Sequence, residues 1–355
     1  MELKILEKNQ VGKLYSELST EYHFFAPVKE SGNIIFKKIS NSEEIILDFL
    51  NSKVPPKDVL FPKQEILFEY KTDGRNVTEI IEREDLDDKI LIFGIRSCDA
   101  HSFVLLDNFF AFGEFQDELF LNKKKNTTLI GIGCKTPKST CFCTSLKGHP
   151  FQKDDFDIFM VDLGDKFLVE GVSDKGKKLI QKLSWLSDAD GADVQKAQKL
   201  SQQAEDLIST KLDFSYVAAT LDPNFEHHIW ADISDICISC GTCTFLCPTC
   251  TCFDVIDENE PYGNRGRRMR IWDTCQYCLY TKETSGHNPR NSVIERCRNR
   301  ILHKFSYYPK NYDLIGCVGC GRCIQLCPVN NDLRSIITKI NKIEQNKKEE
   351  EKVSA

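Results

Sequence analysis

Two stretches of this chain repeat one cysteine frame, and that frame limits the fold more than any other feature. "CISCGTCTFLCP" begins at Cys237 and "CVGCGRCIQLCP" at Cys317; both read C-x2-C-x2-C-x3-C-P, and they start 80 residues apart. Three cysteines at that spacing set three thiolates around one concave loop. This suits a cube-shaped 4Fe-4S cluster, in which each iron takes one outside thiolate. In the bacterial ferredoxin pattern the cysteine before proline ligates the other cluster. The proline has no N–H to donate and redirects the chain. The frame therefore predicts one cluster on Cys237, Cys240, Cys243 and Cys327, and a second on Cys317, Cys320, Cys323 and Cys247. Structural zinc is the poorer reading, because it usually draws four ligands from separated C-x2-C pairs. The glycines of "SCGTC" and "GCGRC" permit tight turns and let backbone N–H groups approach the sulfides.

The remaining cysteines are unevenly spread. Of 17, thirteen lie between Cys237 and Cys327 and four between Cys98 and Cys143. A disulfide scaffold would be a short secreted chain with an even count. At 355 residues this chain has room for two domains, and its crowded cysteines point to metal or redox chemistry in a reducing compartment. The N-terminus "MELKILEKNQ" puts charges where a signal peptide would be apolar, and no apolar run approaches the roughly 20 residues of a spanning helix. A cytoplasmic chain is expected. The net charge of −6 argues against a nucleic-acid or anionic-membrane binder, which would need surplus Lys and Arg.

Residues 1–215 read as an α/β domain with a largely parallel sheet. "KILIFGIRSC" and "TTLIGIGC" begin as apolar strands, "DAHSFVLLDNFF" follows with helical spacing and Asp99 placed to cap it, and "FDIFMVDLG" with "KFLVEGV" suggests a hairpin turning at Gly164–Asp165. From 216 to 340 the strand signals fade, and a mainly α-helical, ferredoxin-like dicluster domain is expected. Its connector, "RGRRMRIWDTCQYC" and "GHNPRNSVIERCRNRILHKF", reads as helical and basic. Its arginines would offset the negative charge of thiolate-bound clusters or dock an acidic partner; ordinary surface salt bridging is the alternative. Residues 341–355 are charged and expected to be a disordered tail.

Cys98 and Cys134 each end a strand, and "CFC" adds Cys141 and Cys143 shortly after. Ligands in open α/β sheets gather at the carboxyl ends of strands, so these four could close a third cluster site. Packed thiols are the alternative. Cys250, Cys252, Cys275, Cys278 and Cys297 are not assigned, because free cysteine packs as a small hydrophobe. Histidines such as His101, His227, His228, His287 and His303 read as structural. No dinucleotide fingerprint, P-loop or nucleophile elbow is present.

Several phrases together carry a resemblance. "CISCGTCTFLCPTCTCFDVIDE", "RGRRMRIWDTC", "GHNPR", "ILHKF", "CVGCGRCIQLCP", "GIRSCDAHS" and "CKTPKSTCFCTS" are similar to those of the beta subunit of sulfhydrogenases (cytosolic nickel–iron hydrogenases) and of the corresponding subunit of anaerobic sulfite reductase. The likeness spans about residues 90–335. It implies an electron-transfer subunit with no catalytic residue of its own. Such a subunit would stand between a flavin-bearing subunit that handles NAD(P)H and a catalytic subunit of the nickel–iron hydrogenase or sulfite-reducing type. It supports the eight ferredoxin-type ligands and favours a cluster at Cys98, Cys134, Cys141 and Cys143. The competing reading is a catalytic subunit of a heterodisulfide-reductase-like enzyme. Those bear a C-C-G signature, and this chain has no adjacent cysteine pair.

Overall fold

A computed structural model describes residues 3–73, 75–81, 88–261 and 263–354. Among them are twelve strands: β1 (Leu3–Glu7), β2 (His23–Glu30), β3 (Asn33–Lys38), β4 (Gln64–Thr72), β5 (Val77–Ile81), β6 (Ile90–Ile95), β7 (Thr127–Ile132), β8 (Ile158–Asp162), β9 (Lys166–Gly171), β10 (Ser187–Asp188), β11 (Phe253–Asn259) and β12 (Arg265–Trp272). They form an eight-stranded sheet in the order β10-β1-β9-β8-β7-β6-β2-β3 and a four-stranded sheet in the order β11-β12-β4-β5.

In the larger sheet only the central four strands, β2, β6, β7 and β8, run parallel. The flanking pairs are antiparallel, so the largely parallel sheet read from the sequence is in fact mixed. The predicted hairpin is present as β8 and β9. The central strands are buried on both faces, which is why they read as unbroken apolar runs. Ile90 and Ile92 enter one core with Phe103 and Leu106, while Leu91 and Phe93 enter the other with Leu14, Ile130 and Ile132. At the end of β6 the register slips between Phe93 and Ile95. Gly94 takes φ +80 there, and a Cβ would lie 3.3 Å from the Pro27 ring. The bulge turns the chain into the helix Ser97–Phe110. Asp99 lies in that helix's first turn and Arg96 at the N-cap, so the acid favours the helix N-terminus by its charge and does not cap it.

The chain divides into two compact units that are not contiguous in sequence. One comprises residues 1–137, 149–207 and 253–272; the other comprises 138–148, 208–252 and 273–355. In the second unit the helices Val217–Leu221, Ile229–Ser234, Val293–Leu302 and Leu333–Ser354 gather around Phe142, Trp230, Phe305 and Ile337. The last helix runs through the stretch expected to be a disordered tail. Its Lys and Glu residues are good helix formers and extend a helix already anchored by Leu333, Ile336, Ile337 and Ile340. Among the described residues no helix is long and apolar enough to cross a membrane.

The clearest departure from the sequence reading is "RGRRMRIW", which is a strand and not a helix. It pairs with the acidic strand "FDVIDEN" in a register that sets Arg268 opposite Asp257 and Arg267 opposite Glu258. Both pairs close as ion pairs, with Arg268 Nη2 2.7 Å from Asp257 Oδ2. Cross-strand charge pairing thus outweighs any helical periodicity. The hairpin β11–β12 then adds to β4, extending the smaller sheet of the first unit. Arg270 is different. It is 2% exposed, pairs with Glu65 and Asp117, and lies 4.9 Å over the Phe61 ring. Removing Arg270 breaks both pairs at once and leaves Glu65 with Lys123 as its ion-pair partner. Arg270→Met should therefore destabilise the protein by about 3–5 kcal/mol, read as a lower denaturant midpoint.

Candidate metal centre

The repeated frame is also a repeated conformation. In the first copy Ser239 (φ 54) and Gly241 (φ 75) turn the backbone into the one-turn helix Thr242–Phe245. In the second, Gly319 (φ 65) and Gly321 (φ 72) lead into Arg322–Gln325. The two short helices pack against each other. Cys247 and Cys327 follow them, each preceding a proline.

Two neighbouring cavities open between these loops. The first is lined by Cys237, Cys240 and Cys243 from one frame and by Cys327 and Pro328 from the other. The second is lined by Cys317, Cys320 and Cys323 together with Cys247 and Pro248. Each cavity thus meets a triplet from one frame and the fourth cysteine of the other. Arg300 and Cys323 line both. The loops also aim backbone donors at sulfur: Asn331 N–H reaches Cys327 Sγ at 3.2 Å and Gly319 N–H reaches Cys317 Sγ at 3.5 Å.

The electrostatics favour a bound cluster. Arg300 and Lys304 are 8% and 3% exposed, and the negative charge that the surrounding cysteine sulfurs can carry favours both cations despite the cost of burial. Burial pushes the Cys317 thiol up to about 11 and Cys323 to about 12. Bare, these sulfurs stay protonated at neutral pH, and a metal that takes up thiolates must displace those protons. Cys237 goes the other way, to about 6, because the Cys297 thiol donates to it and Arg300 and Arg296 lie near. Soft donors, at least four to a cavity, with N–H donors and buried cations beside them, fit a thiolate-ligated iron–sulfur cluster.

Comparison with known proteins agrees with this geometry. A family model described as a 4Fe-4S dicluster domain matches residues 236–331. Sulfhydrogenase 2 subunit beta of Pyrococcus furiosus is 31% identical over 329 residues, covering 89% of this chain and 94% of that protein. The chain belongs to the sulfhydrogenase beta-subunit family. No solved structure matches it. Membership makes it an iron–sulfur oxidoreductase subunit of the hydrogenase type.

The four N-terminal cysteines fall in two places. Cys98 and Cys134 lie in the first unit, at the carboxyl ends of the parallel strands β6 and β7. They flank Arg96, whose guanidinium is 6% exposed and whose pKa is lowered by burial and partly restored by the two sulfurs. Arg96 donates to the carbonyls of Ile132 and Gly133, each at 3.0 Å, and to Phe49. Cys141 and Cys143 belong to the second unit, on a loop that lies against the second frame. Phe142 N–H donates to Gly319 O at 2.9 Å, and Cys141 Sγ is 3.7 Å from Cys320 O. That docking was not legible in the sequence, because about 180 residues separate the two segments.

Sequence reasoning also missed Cys297. It is buried, joins Cys237 in the first cavity, and adds a sulfur there beyond those of the two frames. A lone cysteine inside a helix, with no second cysteine at ligand spacing, carries no signal that could have found it. Cys250 donates to Cys247, Cys275 pairs with Cys252, and Cys278 is exposed. Of the connector arginines, Arg296 and Arg300 are buried beside the cysteines, whereas Arg267 and Arg268 form solvent-screened surface ion pairs.

Gly319 tests how tightly this construction is held. A Cβ there would come within 2.6 Å of the Cys143 backbone, in a conformation that side chains rarely adopt. Gly319→Ala should therefore lower iron per chain by about four, one cluster's worth. Gly32→Ala, whose Cβ would meet nothing within 4 Å, should leave iron unchanged.

Proposed function

We propose that the chain relays single electrons between two partner subunits, using 4Fe-4S clusters held in crossed fashion. The observation that carries this reading is the pair of adjacent cavities, each lined by the three triplet cysteines of one frame and by the cysteine before proline of the other, with Cys323 bordering both. Cys237, Cys240, Cys243 and Cys327 are assigned to the first cluster, and Cys317, Cys320, Cys323 and Cys247 to the second. When bound, the clusters supply reversible one-electron storage. The protein's part is to hold them close, keep them dry and set their charge. Crossing ties two segments 80 residues apart into one unit, so neither cluster can leave its place beside the other. Ile233, Ile301 and Leu333 wall the first cavity and Phe142 walls the second, which limits water and oxygen. Arg300 lines both and offsets charge at each. Cys240 is exposed and Cys247 is buried, which supports reading the first cluster as the one nearer a partner's redox centre.

The donor side is read as a flavin-bearing subunit that handles NAD(P)H, and the acceptor side as a catalytic subunit of nickel–iron hydrogenase or sulfite-reducing type. Of the four N-terminal cysteines, Cys98 and Cys134 of the first unit are proposed as ligands of a third cluster. Arg96, fixed between these two by its carbonyl bonds, would offset that cluster's charge.

Anaerobic purification with iron and acid-labile sulfide counts tests the reading. About twelve irons per chain are expected, at four per cluster. Cys134→Ala should lower the count to about eight while both ferredoxin-type signals persist in the reduced EPR spectrum. Cys327→Ala should abolish the cluster of the Cys237 triplet and spare that of the Cys317 triplet. Zinc without acid-labile sulfide in the wild-type protein would sink the proposal.

A further inference from the structure

Lys304 is buried on the helical segment that carries Arg300, four residues on. It sits in a π-helical turn, His303–Tyr307, which continues the helix Val293–Leu302. Such turns re-aim side chains and recur at functional sites. A lysine ammonium has three N–H donors, and here each has an acceptor. Nζ lies 2.9 Å from Gly316 O, 2.9 Å from Thr249 Oγ1 and 3.3 Å from Cys247 Sγ. The position is fixed from behind as well: Gly316 N–H donates to Lys304 O at 2.9 Å, and Thr249 Oγ1 donates to Gly316 O at 2.8 Å. Thr249 Oγ1 also lies 3.2 Å from Cys247 Sγ. Among cavity-lining residues, Lys304 borders only the second cavity, whereas Arg300 borders both.

The first cavity has no equivalent among the described residues. Arg296, the other buried cation near Cys237, spends its Nη1 donors on the carbonyls of Arg290 and Asn291 and its Nη2 on Ser239 Oγ. Arg300 Nη2 reaches Cys243 O and not its sulfur. Cation-to-sulfur hydrogen bonding is thus seen at the crossing ligand of the second cavity and not at the first.

We infer that Lys304 is a potential-setting residue, which raises the reduction potential of the second cluster independently of the first. The inference rests on the crossed assignment of Cys247 to that cluster. Reduction adds one electron to a thiolate-ligated cluster and makes it more negative. A fixed ammonium donating to one ligand sulfur favours the reduced form, and a dry cavity strengthens that effect. Arg300, lying between the cavities, acts on both clusters, whereas Lys304 borders only the second.

Potentiometric titration followed by EPR, on anaerobically purified full-length protein, tests this. Lys304→Met removes the charge and the hydrogen bond, and the near-isosteric Lys304→Gln keeps a donor without the charge. Iron and sulfide counts equal to wild type show that the clusters are assembled, which separates failure of this inference from failure of the relay reading. In the assembled variants one midpoint should fall so that, at fixed potential, its reduced-to-oxidised ratio drops at least tenfold, a shift of about 59 mV for one electron. The other midpoint should stay put. Arg300→Gln should lower both midpoints. An unchanged pair of midpoints in Lys304→Met and Lys304→Gln, or an equal fall in both clusters, overturns the inference. If Lys304→Met alone loses iron, Lys304→Gln decides by the same criterion.

Discussion

Two cations buried among thiols are what the cysteine-rich unit is built around. Arg300 and Lys304 are side chains that folding should keep in water, since burying an unpaired charge is among the costliest things a protein can do. They are retained because sulfur from both repeats converges on them. The thiols have the converse problem. Burial resists their ionisation, as Cys317 and Cys323 show, so they need both a metal and nearby positive charge to become ligands. Each set is stable only in the presence of the other. This explains why a helix, Val293–Leu302, from the middle of the 80-residue connector passes between the two frames. The connector adds these two buried cations to the one that the second frame carries itself, Arg322.

The cysteine frame was the most legible part of the sequence, because cluster ligation fixes spacing along the chain. The pairing of triplet and distant cysteine followed from the known crossing pattern, and both cavities are lined by those residues. The apolar strands β6 and β7 were equally plain, since burial on both faces leaves no polar interruption. What the sequence hid were features decided by distant partners. "RGRRMRIW" carried no strand signal of its own; its strand character depends on the acidic run that faces it and on β4 beside it. The loop holding Cys141 and Cys143 joins the second unit through Gly319, a contact no local pattern announces. The helical tail was misread because its composition suits both a solvated coil and a helix, and only the anchored preceding turns decide between them.

The two units divide the chemistry unequally. The α/β unit offers two cysteines at adjacent strand ends with a pinned arginine between them, a site built on rigid parallel strands. The second unit offers eight ferredoxin-type cysteines and several further thiols, with hydrogen bonds from backbone and Lys304 reaching some of their sulfurs. Family membership agrees with an iron–sulfur subunit and says nothing of which way electrons run. The two frames are nevertheless not equivalent: their loops are similar, but the Lys304 ammonium is directed at the sulfur of Cys247.

Crossing the ligands forces the two clusters close together, and everything proposed for the relay depends on that closeness. Low-temperature EPR of the fully reduced protein tests it most directly. Two crossed clusters, both paramagnetic when reduced, should give a spectrum split and broadened by their mutual magnetic interaction, and partial reduction should restore simple signals. A fully reduced spectrum that is only the sum of independent cluster signals would contradict the crossed arrangement.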